Sequence, residues 1–319
     1  MTKTTLVSVI IPNYNHAKYL EQRIESVLNQ TYQNFEVIIL DDCSPDNGAS
    51  KAVIEKYRFN PHVSHIVYNE VNSGSSFKQW QKGFSLAKGE IIWIAESDDW
   101  CESNFLETLI PCWEKYPDCS VIETSLWDVD SDGNKIYPQK YYSGETIHTE
   151  GKEFIKWNLI QSNFYIPNAS AVTFRKDIAM SIPADYMKYK AAGDRLFWIY
   201  MLERGNMCKV YKPLSYFRQH AIKVTQKKER DGTQGRENYK INQYLKKQGY
   251  IKGLIAVEAY KYYWNNFMTS QYDSENVRQE LLHLWFSWWQ RTLLYRAYID
   301  AYYIIYGKLY QFKHKILDK

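Results

Sequence analysis

The sequence predicts an α/β protein: a doubly wound, mostly parallel sheet followed by an α-helical C-terminal region. Three observations support this fold class. Between residues 6 and 95, short β-branched runs alternate with segments of helical periodicity, which is the pattern of parallel strands joined by crossover helices. Acidic residues directly follow two of the predicted strands. From residue 239 onward the sequence reads as helix.

The first predicted strand is Leu6–Ile11, a β-branched run that ends at Pro12. A turn follows it, in which Asn15 is a candidate N-cap for the first helix. Apolar residues then recur at helical spacing, namely Leu20, Ile24, Val27 and Leu28. This order predicts a strand, a turn and an amphipathic helix.

Three further strands complete the first half of the sheet. Phe35–Leu40 runs into a turn-rich acidic loop, and Val63–Tyr68 is the third strand. A helix is predicted on each side of the third strand, and Gly89 is the candidate C′ residue of the second helix. Ile91–Ala95 is too short for a helix and lacks alternation, so it is predicted to be a strand buried on both faces.

Carboxylates follow the second and fourth strands, as Asp41-Asp42 and Asp98-Asp99. Right-handed crossovers place the carboxyl ends of parallel strands at one edge of a sheet, so both pairs are expected to face one crevice. Clustered carboxylates repel one another, and a chain that keeps them usually binds a cation there. The alternative is a solvated acidic loop in which an Asp caps the next helix.

The pattern changes after Trp100, where a helix, a strand at Ser120–Thr124 and a hairpin-like turn are predicted. Another helix opens at Asp194. The polar stretch at residues 226–235 is predicted to be a linker or mobile loop. The last helical segment has a wide aromatic face, which is expected to pack on the rest of the protein or on a twin subunit; the alternative is contact with a membrane interface.

Composition excludes several classes of protein. The 319 residues carry 40 Lys and Arg against 36 Asp and Glu, a net charge of only +4, so no nucleic-acid partner is expected. The absence of GxGxxG and GxxxxGK[ST] motifs disfavours dinucleotide-dependent dehydrogenases and P-loop NTPases.

Five Cys without a CxxC pair indicate neither a disulfide framework nor a structural zinc site, and favour a reducing compartment. No signal peptide or membrane span is expected from the sequence.

Four motifs occur in a characteristic order: Ser8–Asn15, Leu40–Ser44, Glu96–Asp99 and Gly193-Asp194. Together they resemble the family 2 glycosyltransferases of GT-A fold, over residues 6–225. The resemblance implies an inverting transfer of a sugar from a nucleotide-diphosphate donor to an acceptor hydroxyl, aided by a divalent cation, Mn or Mg.

The resemblance also implies the donor-binding residues. In it, Asp42 accepts an N–H from the base, which is expected to be uracil, and Tyr14 packs on the base. Lys78 could neutralise the diphosphate, although a solvated helix Lys is an equal alternative. The full set implied for the nucleotide-sugar is Pro12, Tyr14, Asn15, Asp42, Ser73, Lys78 and Asp98.

Asp98 and Asp99 match the DxD-type pair, in which one carboxylate bonds the ribose and the other the metal. Glu96 stands where many members have Asp. His220 is a further candidate metal ligand, because some members have a His there that contacts metal or phosphate. Asp194 matches the general base that takes the proton of the acceptor hydroxyl; the alternative is a helix N-cap.

The domain organisation expected is a GT-A domain at 1–225 and a helical, aromatic-rich region at 226–319. Within the first domain, residues 1–99 would bind the nucleotide-sugar and residues 100–225 the acceptor. We expect a cytoplasmic glycosyltransferase of surface polysaccharide (capsule or O-antigen) synthesis. Its acceptor would be a glycan or lipid-linked glycan, and its C-terminal helices could contact the inner face of the cell membrane or self-associate.

Two alternatives to this function are considered. A non-catalytic nucleotide-sugar-binding or scaffold protein on the same fold would be expected to lose Asp42, Asp99 or Asp194, and all three are present. A sugar-phosphate nucleotidyltransferase would need a Gly-rich basic loop after the first strand, where this chain has Pro12–Asn15.

Overall fold

A computed structural model of the chain describes residues 5–137, 144–160, 166–219 and 224–307. The chain divides into two compact units. Unit 1 comprises Met1–Phe154, Ile166–Lys188 and Gly193–Ala221, and unit 2 comprises Ile155–Tyr165, Tyr189–Ala192 and Ile222–Lys319.

Unit 1 is built on one mixed sheet that has ten strands among the described residues. The strands are β1 (Val7–Asn13), β2 (Phe35–Asp41), β3 (Val63–Tyr68), β4 (Ile91–Ile94), β5 (Trp100–Cys101), β6 (Cys119–Val129), β7 (Lys135–Tyr137), β8 (Thr146–Thr149), β9 (Val172–Arg175) and β10 (Asn206–Arg218). Their order is β3-β2-β1-β4-β9-β6-β10-β5, with β7 beside β6 and β8 beside β10.

The helices of unit 1 are α1 (Ala17–Leu28), α2 (Ala49–Glu55), α3 (Ser76–Leu86), α4 (Phe105–Lys115), α5 (Gly151–Phe154), α6 (Lys176–Ser181) and α7 (Gly193–Leu202). Short 3₁₀ turns lie at Ala169–Ala171 and Ala184–Lys188.

The direction of the strands decides which loops meet. β1 pairs in parallel with β2 and β4, and β2 with β3. β9 is antiparallel to both β4 and β6, so β6 runs in the direction of β4, and β10 is parallel to β6. The loops after β1, β2 and β4 therefore leave the same edge of the sheet, as the sequence predicts.

The core forms because β1, β2 and β4 are buried along their whole length. Helix α1 covers one face with the predicted stripe, of which Leu20, Ile24 and Val27 are fully buried. Burying each such side chain contributes about 1.5–3 kcal/mol. An aromatic cluster lies between α3, β9 and α7 and includes Trp80, Phe84, Phe174, Phe197 and Trp198.

Pro12 lies inside β1 and does not end it as predicted. The carbonyl of Ile10 accepts from the N–H of Ala95, on the β4 side, whereas the carbonyl of Asn13 accepts from Asp42, on the β2 side. By this alternation the missing N–H of Pro12 faces the β4 side, and β4 pairs with β1 only as far as Ile10. The proline therefore removes no ladder hydrogen bond, which is where a strand tolerates it.

Two predicted helix ends are wrong. Asn15 is not a cap: α1 begins after His16, and Asn15 has a left-handed backbone (φ +59°) whose N–H donates to Ser44 Oγ. Gly89 is not a C′ residue, because Ala87 already ends α3 in extended conformation. A Cβ on Gly89 would lie 2.6 Å from the carbonyl oxygen of Leu6, so it is the close approach to β1 that requires glycine there.

Unit 2 is helical in its described residues. Its helices are α8 (Val224–Arg230), α9 (Thr233–Lys247), α10 (Leu254–Thr269), α11 (Glu275–Trp285) and α12 (Leu293–Tyr302), with π-helical turns at Ile155–Leu159 and Tyr303–Gly307 and a 3₁₀ turn at Trp289–Arg291. The predicted linker at residues 226–235 is therefore wrong, because it consists of α8, a left-handed Gly232 (φ +81°) and the start of α9.

Glu237 is a buried acid of unit 2. Its carboxylate accepts hydrogen bonds from the backbone N–H groups of Lys190, Ala191 and Ala192, at 2.7, 2.8 and 2.9 Å. Three donors on one carboxylate satisfy both oxygens. The segment Tyr189–Ala192 is thereby fixed to α9 within unit 2.

An apolar face of α12 is exposed, although its inward residue Ile299 is buried. This face, which we call the α12 face, continues from the preceding turn into the following one. It consists of Trp288, Trp289, Leu293, Leu294, Tyr298, Ile304 and Ile305. Within the described part of the chain, no helix combines the length and apolar character needed to span a bilayer.

Candidate active site

The loop Glu96–Trp100 follows β4 and is held by contacts from three other segments. The backbone carbonyl of Glu96 accepts from Arg23 Nε at 2.9 Å, and the backbone N–H of Glu96 donates to Ser170 Oγ at 3.1 Å. Ser97 Oγ lies 2.9 Å from His16 Nδ1. The acidic loop is therefore a fixed part of unit 1 and not a solvated turn.

Asp99 is buried, and its carboxylate is engaged by the protein. Oδ2 accepts from Asn168 Nδ2 at 2.8 Å and from Ser170 Oγ at 2.6 Å, while Oδ1 accepts from the backbone N–H of Arg218 at 2.9 Å. These bonds join the loop after β4 to the 3₁₀ turn before β9 and to the end of β10. The metal-binding role predicted for Asp99 stays a prediction, and this geometry gives Asp99 a role in holding the loop.

Arg218 is a residue that the sequence analysis did not single out. It is buried; its Nε donates to the carbonyl of Asp98 at 2.8 Å and its Nη2 to Gln22 Oε1 at 2.9 Å. Its guanidinium lies 4.3 Å from the ring centre of Tyr19 and 4.7 Å from that of Trp100. No pattern in the sequence distinguishes this arginine from other basic residues.

The loop concentrates negative charge. Loss of hydration raises the pKa of Glu96 to about 8, and repulsion from Asp98 adds to this shift. Burial, and then repulsion from Asp98, raises the pKa of Asp99 to about 6. Arg23 is fully buried and acts against both shifts, but its two terminal nitrogens have no hydrogen-bond partner among the described residues.

This donor set fits a divalent cation. Carboxylate oxygens are the ligands that Mg²⁺ and Mn²⁺ prefer, and a cation would relieve the repulsion among three neighbouring carboxylates. Asp98 is half-buried beside the buried Asp99, so its carboxylate is the better placed of the pair to reach a bound ion. Glu96 Oε1 accepts from Trp80 Nε1 at 3.0 Å. His220 lies outside the described residues.

Asp42 follows β2 and is bound by the loop before α3. Its Oδ1 accepts from Asn69 Nδ2 at 2.6 Å, from the backbone N–H of Ser73 at 2.9 Å and from Gln79 Nε2 at 2.8 Å, and its Oδ2 accepts from Ser73 Oγ at 2.7 Å. The structure thus brings together Asp42 and Ser73, two of the predicted donor-binding residues. It also adds Asn69 and Gln79, which the sequence analysis did not name.

The neighbouring Asp41 shapes the loop. Its carboxylate accepts from Asn13 Nδ2 at 2.7 Å and from Ser44 Oγ at 2.6 Å, so it ties the loop after β1 to the loop after β2. Tyr14 directly follows the last residue of β1 and is 46% exposed, which leaves its ring available to a base. Asn15 is exposed beside it, and Pro12 is buried in β1.

Lys78 lies in the first turns of α3, where its Nζ donates to the carbonyl of Ser73 at 2.9 Å. The side chain is exposed. The Lys78 ammonium therefore helps to hold the loop that contains Ser73. A bound diphosphate would either replace the Ser73 carbonyl as the acceptor of this ammonium or accept a further hydrogen bond from it.

Asp194 lies in the first turn of α7, and its Oδ1 accepts from the backbone N–H of Arg195 at 2.7 Å. Gly193 packs tightly before it, because an added Cβ would lie 2.4 Å from Phe77 Cε2 and 2.7 Å from the carbonyl oxygen of Tyr186. Helix α7 also contacts Trp80, whose ring centre is 5.6 Å from that of Phe197. Since Trp80 also bonds Glu96, α3 connects the acidic loop with the helix that carries Asp194.

The chain matches the model of Glycosyl transferase family 2 over residues 8–182, more than half of its length. It is 33% identical over 171 residues to glycosyltransferase GlyG of Streptococcus pneumoniae, which is 51% of this chain and 54% of that protein. It is 26% identical over 214 residues to the poly(ribitol-phosphate) beta-N-acetylglucosaminyltransferase TarP of Staphylococcus aureus, which is 66% of this chain and 62% of that protein. The chain thus spans little more than half the length of these relatives.

The fold is similar to that of solved GT-A structures. Residues 1–349 of S. aureus TarS, crystallised with UDP-GlcNAc, give a TM-score of 0.59 at 20% identity, covering 88% of this chain and 73% of that one. The same protein with UDP gives a TM-score of 0.54 at 18% identity, covering 86% and 69%. At this level of sequence identity, the similarity is evidence for a shared fold alone.

Proposed function

Because this chain belongs to glycosyltransferase family 2, we propose that it transfers a sugar from a UDP-sugar to an acceptor hydroxyl with inversion at the anomeric carbon. The observation that carries the proposal is the convergence of the Asp42 loop and the Glu96–Asp99 loop at one edge of the sheet. Chains bearing UDP-GlcNAc and UDP among the structural neighbours support the choice of nucleotide.

In this proposal Asp42 and Tyr14 recognise the base. Among the described residues, Asp42 Oδ2 accepts from Ser73 Oγ alone, and so retains capacity to accept an N–H from uracil. Three bonds to Oδ1 hold the carboxylate in place. The exposed ring of Tyr14 packs against the base, and Ser73 and Lys78 line the path toward the diphosphate.

Asp98 would hold the divalent cation, and Asp99 would fix the loop that presents Asp98. When bound, the cation supplies positive charge that offsets the two phosphates and the leaving diphosphate. Arg23 and Arg218 hold the loop by donating hydrogen bonds to the backbone carbonyls of Glu96 and Asp98, respectively. The repulsion among the clustered acids is thus offset on folding, before the donor binds.

Asp194 would act as the general base. As the acceptor oxygen bonds to the anomeric carbon, its proton moves to the Asp194 carboxylate and the bond to the diphosphate oxygen breaks on the opposite face. The bond from the Arg195 N–H orients the carboxylate. Asp194 is the second residue of α7, so the alternative N-cap role is wrong, although an acid in the first turn suits the helix dipole.

The acceptor proposed is a glycan or lipid-linked glycan of a surface polysaccharide such as capsule or O-antigen. The names of relatives support this class of pathway: TarP is named a poly(ribitol-phosphate) beta-N-acetylglucosaminyltransferase, and TuaG of Bacillus subtilis is named a putative teichuronic acid biosynthesis glycosyltransferase. We further propose that the enzyme works in the cytoplasm and contacts the inner face of the membrane through its α12 face.

The test is a screen of nucleotide-sugars for UDP release with Mn²⁺, Mg²⁺ or a chelator present. We expect turnover of a UDP-sugar that the chelator abolishes and either ion restores. Asp194→Asn should lose transfer by a factor of about 100 or more while still binding UDP, whereas Asp177→Asn, in another helix start, should transfer normally. Full turnover in chelator would overturn the cation role, and retained transfer by Asp194→Asn would overturn the base role.

A further inference from the structure

A second group of side chains of the types that ligate metals lies away from the acidic loop. One ligand atom each of Asp118, Cys119 and His148 lies within 4.8 Å of the others. Cys119 begins β6, Asp118 immediately precedes it, and His148 belongs to β8. The set, which we call the Cys119 site, combines a thiol, an imidazole and a carboxylate, the ligand types that zinc takes in proteins.

The strand directions separate the Cys119 site from the donor site. β6 runs in the direction of β4, because both pair antiparallel with β9. The acidic loop follows the carboxyl end of β4, whereas Cys119 stands at the amino end of β6. The Cys119 site is therefore at the opposite edge of the sheet from Asp98, and a cation bound there would not be the one that serves the donor.

The side chains are already arranged around one point. His148 Nε2 lies 3.1 Å from Asp118 Oδ1, and the His148 ring stacks on Tyr116 with centres 4.8 Å apart. Asn206 Nδ2 donates to Asp118 Oδ2 at 2.7 Å. This bond orients the carboxylate through the oxygen that does not contact His148. Such outer contacts orient metal ligands in known sites. In a tetrahedral zinc site, ligand atoms lie about 2.0–2.3 Å from the ion, so contraction of the set by about an ångström would suffice.

Charge also suits a dication. Asp118 is exposed and its carboxylate contacts His148 Nε2 and Asn206 Nδ2. A bound metal deprotonates a coordinating thiol outright, which would give the site one carboxylate and one thiolate.

We propose that Asp118, Cys119 and His148 bind a thiophilic divalent cation such as Zn²⁺, with water as the fourth ligand, and so join β6 to β8. On binding, the thiol proton of Cys119 is released to solvent as the metal–sulfur bond forms. The cation would stabilise this edge of the sheet and would leave sugar transfer to the cation at Asp98.

The test uses the whole purified protein, stripped of metal and then titrated with Co²⁺ in excess Mg²⁺. One equivalent of Co²⁺ should produce a thiolate-to-cobalt charge-transfer band, which oxygen ligands such as Asp98 cannot give, and Zn²⁺ should displace it. Cys119→Ser should lose the band, and His148→Gln, at an exposed side chain, should bind more weakly. Cys43→Ser, at an exposed cysteine outside the site, should keep the band.

Zn²⁺ should also raise the melting temperature of the wild type and of Cys43→Ser but not of Cys119→Ser. The absence of a thiolate band in the wild type would overturn the proposal. A band of unchanged intensity in Cys119→Ser would overturn it too, because another thiol would then be the ligand. Neither result bears on UDP-sugar turnover, so the two proposals fail separately.

Discussion

At the scale of single residues, the adjacent Asp98 and Asp99 have different surroundings and should respond differently to the same change. Asp99→Asn places an amide N–H₂ against donors from Asn168, Ser170 and the Arg218 backbone. An unsatisfied or opposed buried group costs about 1–3 kcal/mol, so we expect the free energy of unfolding to fall by that amount. Urea denaturation followed by circular dichroism measures it.

Asp98→Asn is the matched variant. Its side chain is half-buried, so we expect stability within about 0.5 kcal/mol of the wild type, together with loss of Mn²⁺-dependent UDP release. If Asp99→Asn kept full stability and lost only its metal dependence, the division of roles between the two acids would be wrong.

The residues that hold the acidic loop show what the sequence could not reveal. Asn168, Ser170 and Arg218 reach Asp99 from 69, 71 and 119 positions away along the chain. No local pattern distinguishes these residues from ordinary polar side chains, since their function depends on the sheet order. The acids themselves were predictable, because each directly follows a run of buried β-branched residues.

At the scale of elements, the packing of α7 on α3 depends on Gly193. A Cβ there would overlap Phe77 and the Tyr186 backbone, and overpacking of this kind costs about 1–3 kcal/mol. We expect Gly193→Ala to lower the free energy of unfolding by about 2–3 kcal/mol and to reduce transfer, because Asp194 would shift with the helix start. Thermal unfolding and UDP release are the measurements.

Gly144→Ala is the control for that substitution. Gly144 has a positive φ (+72°) and no neighbour within 4 Å of the added carbon, so only backbone strain of about 1 kcal/mol is expected. Equal losses in the two variants would argue that steric overlap at α7 is unimportant.

Elements with strong local periodicity were predicted well, and elements of mixed composition were not. The first four strands and α1 follow from apolar runs and 3.6-residue spacing. The segment at 226–235 was assigned to a linker because it is polar, but Lys, Gln, Glu and Arg are good helix formers and only Gly232 interrupts them. The polar composition of this segment therefore indicates that its side chains are exposed to solvent, but it does not indicate that the segment lacks a helix.

At the scale of the whole molecule, the α12 face is the feature that the sheet does not explain. Trp288 is 75% exposed and Leu293 is 74% exposed. Residues 291–319 contain two Arg and four Lys against two Asp, a net charge of +4. Exposed Trp and Leu side chains in a chain segment of basic sequence suit the surface of an anionic bilayer.

We expect the protein to co-sediment with vesicles that contain anionic lipid and much less with neutral vesicles. Leu294→Glu should weaken this binding several-fold, because burying a charge in the interface is unfavourable. Ile136→Glu, at an exposed apolar residue of unit 1, should bind as the wild type does. Concentration-dependent dimerisation that Leu294→Glu abolishes, without vesicle binding, would instead assign the face to a second copy of the chain.

The bond between the Arg218 N–H and Asp99 also has a consequence for biosynthesis. The two residues are 119 positions apart, and the contact needs β10 to have joined β6. During translation the strands β1 to β4 can assemble early, yet their acidic loop lacks its last restraints until residue 218 has left the ribosome. Contacts of such long sequence separation form late in folding. A growing chain therefore holds these carboxylates in an unfinished loop until residue 218 has emerged, and the cation and donor binding that we propose for the loop would be possible only after that point.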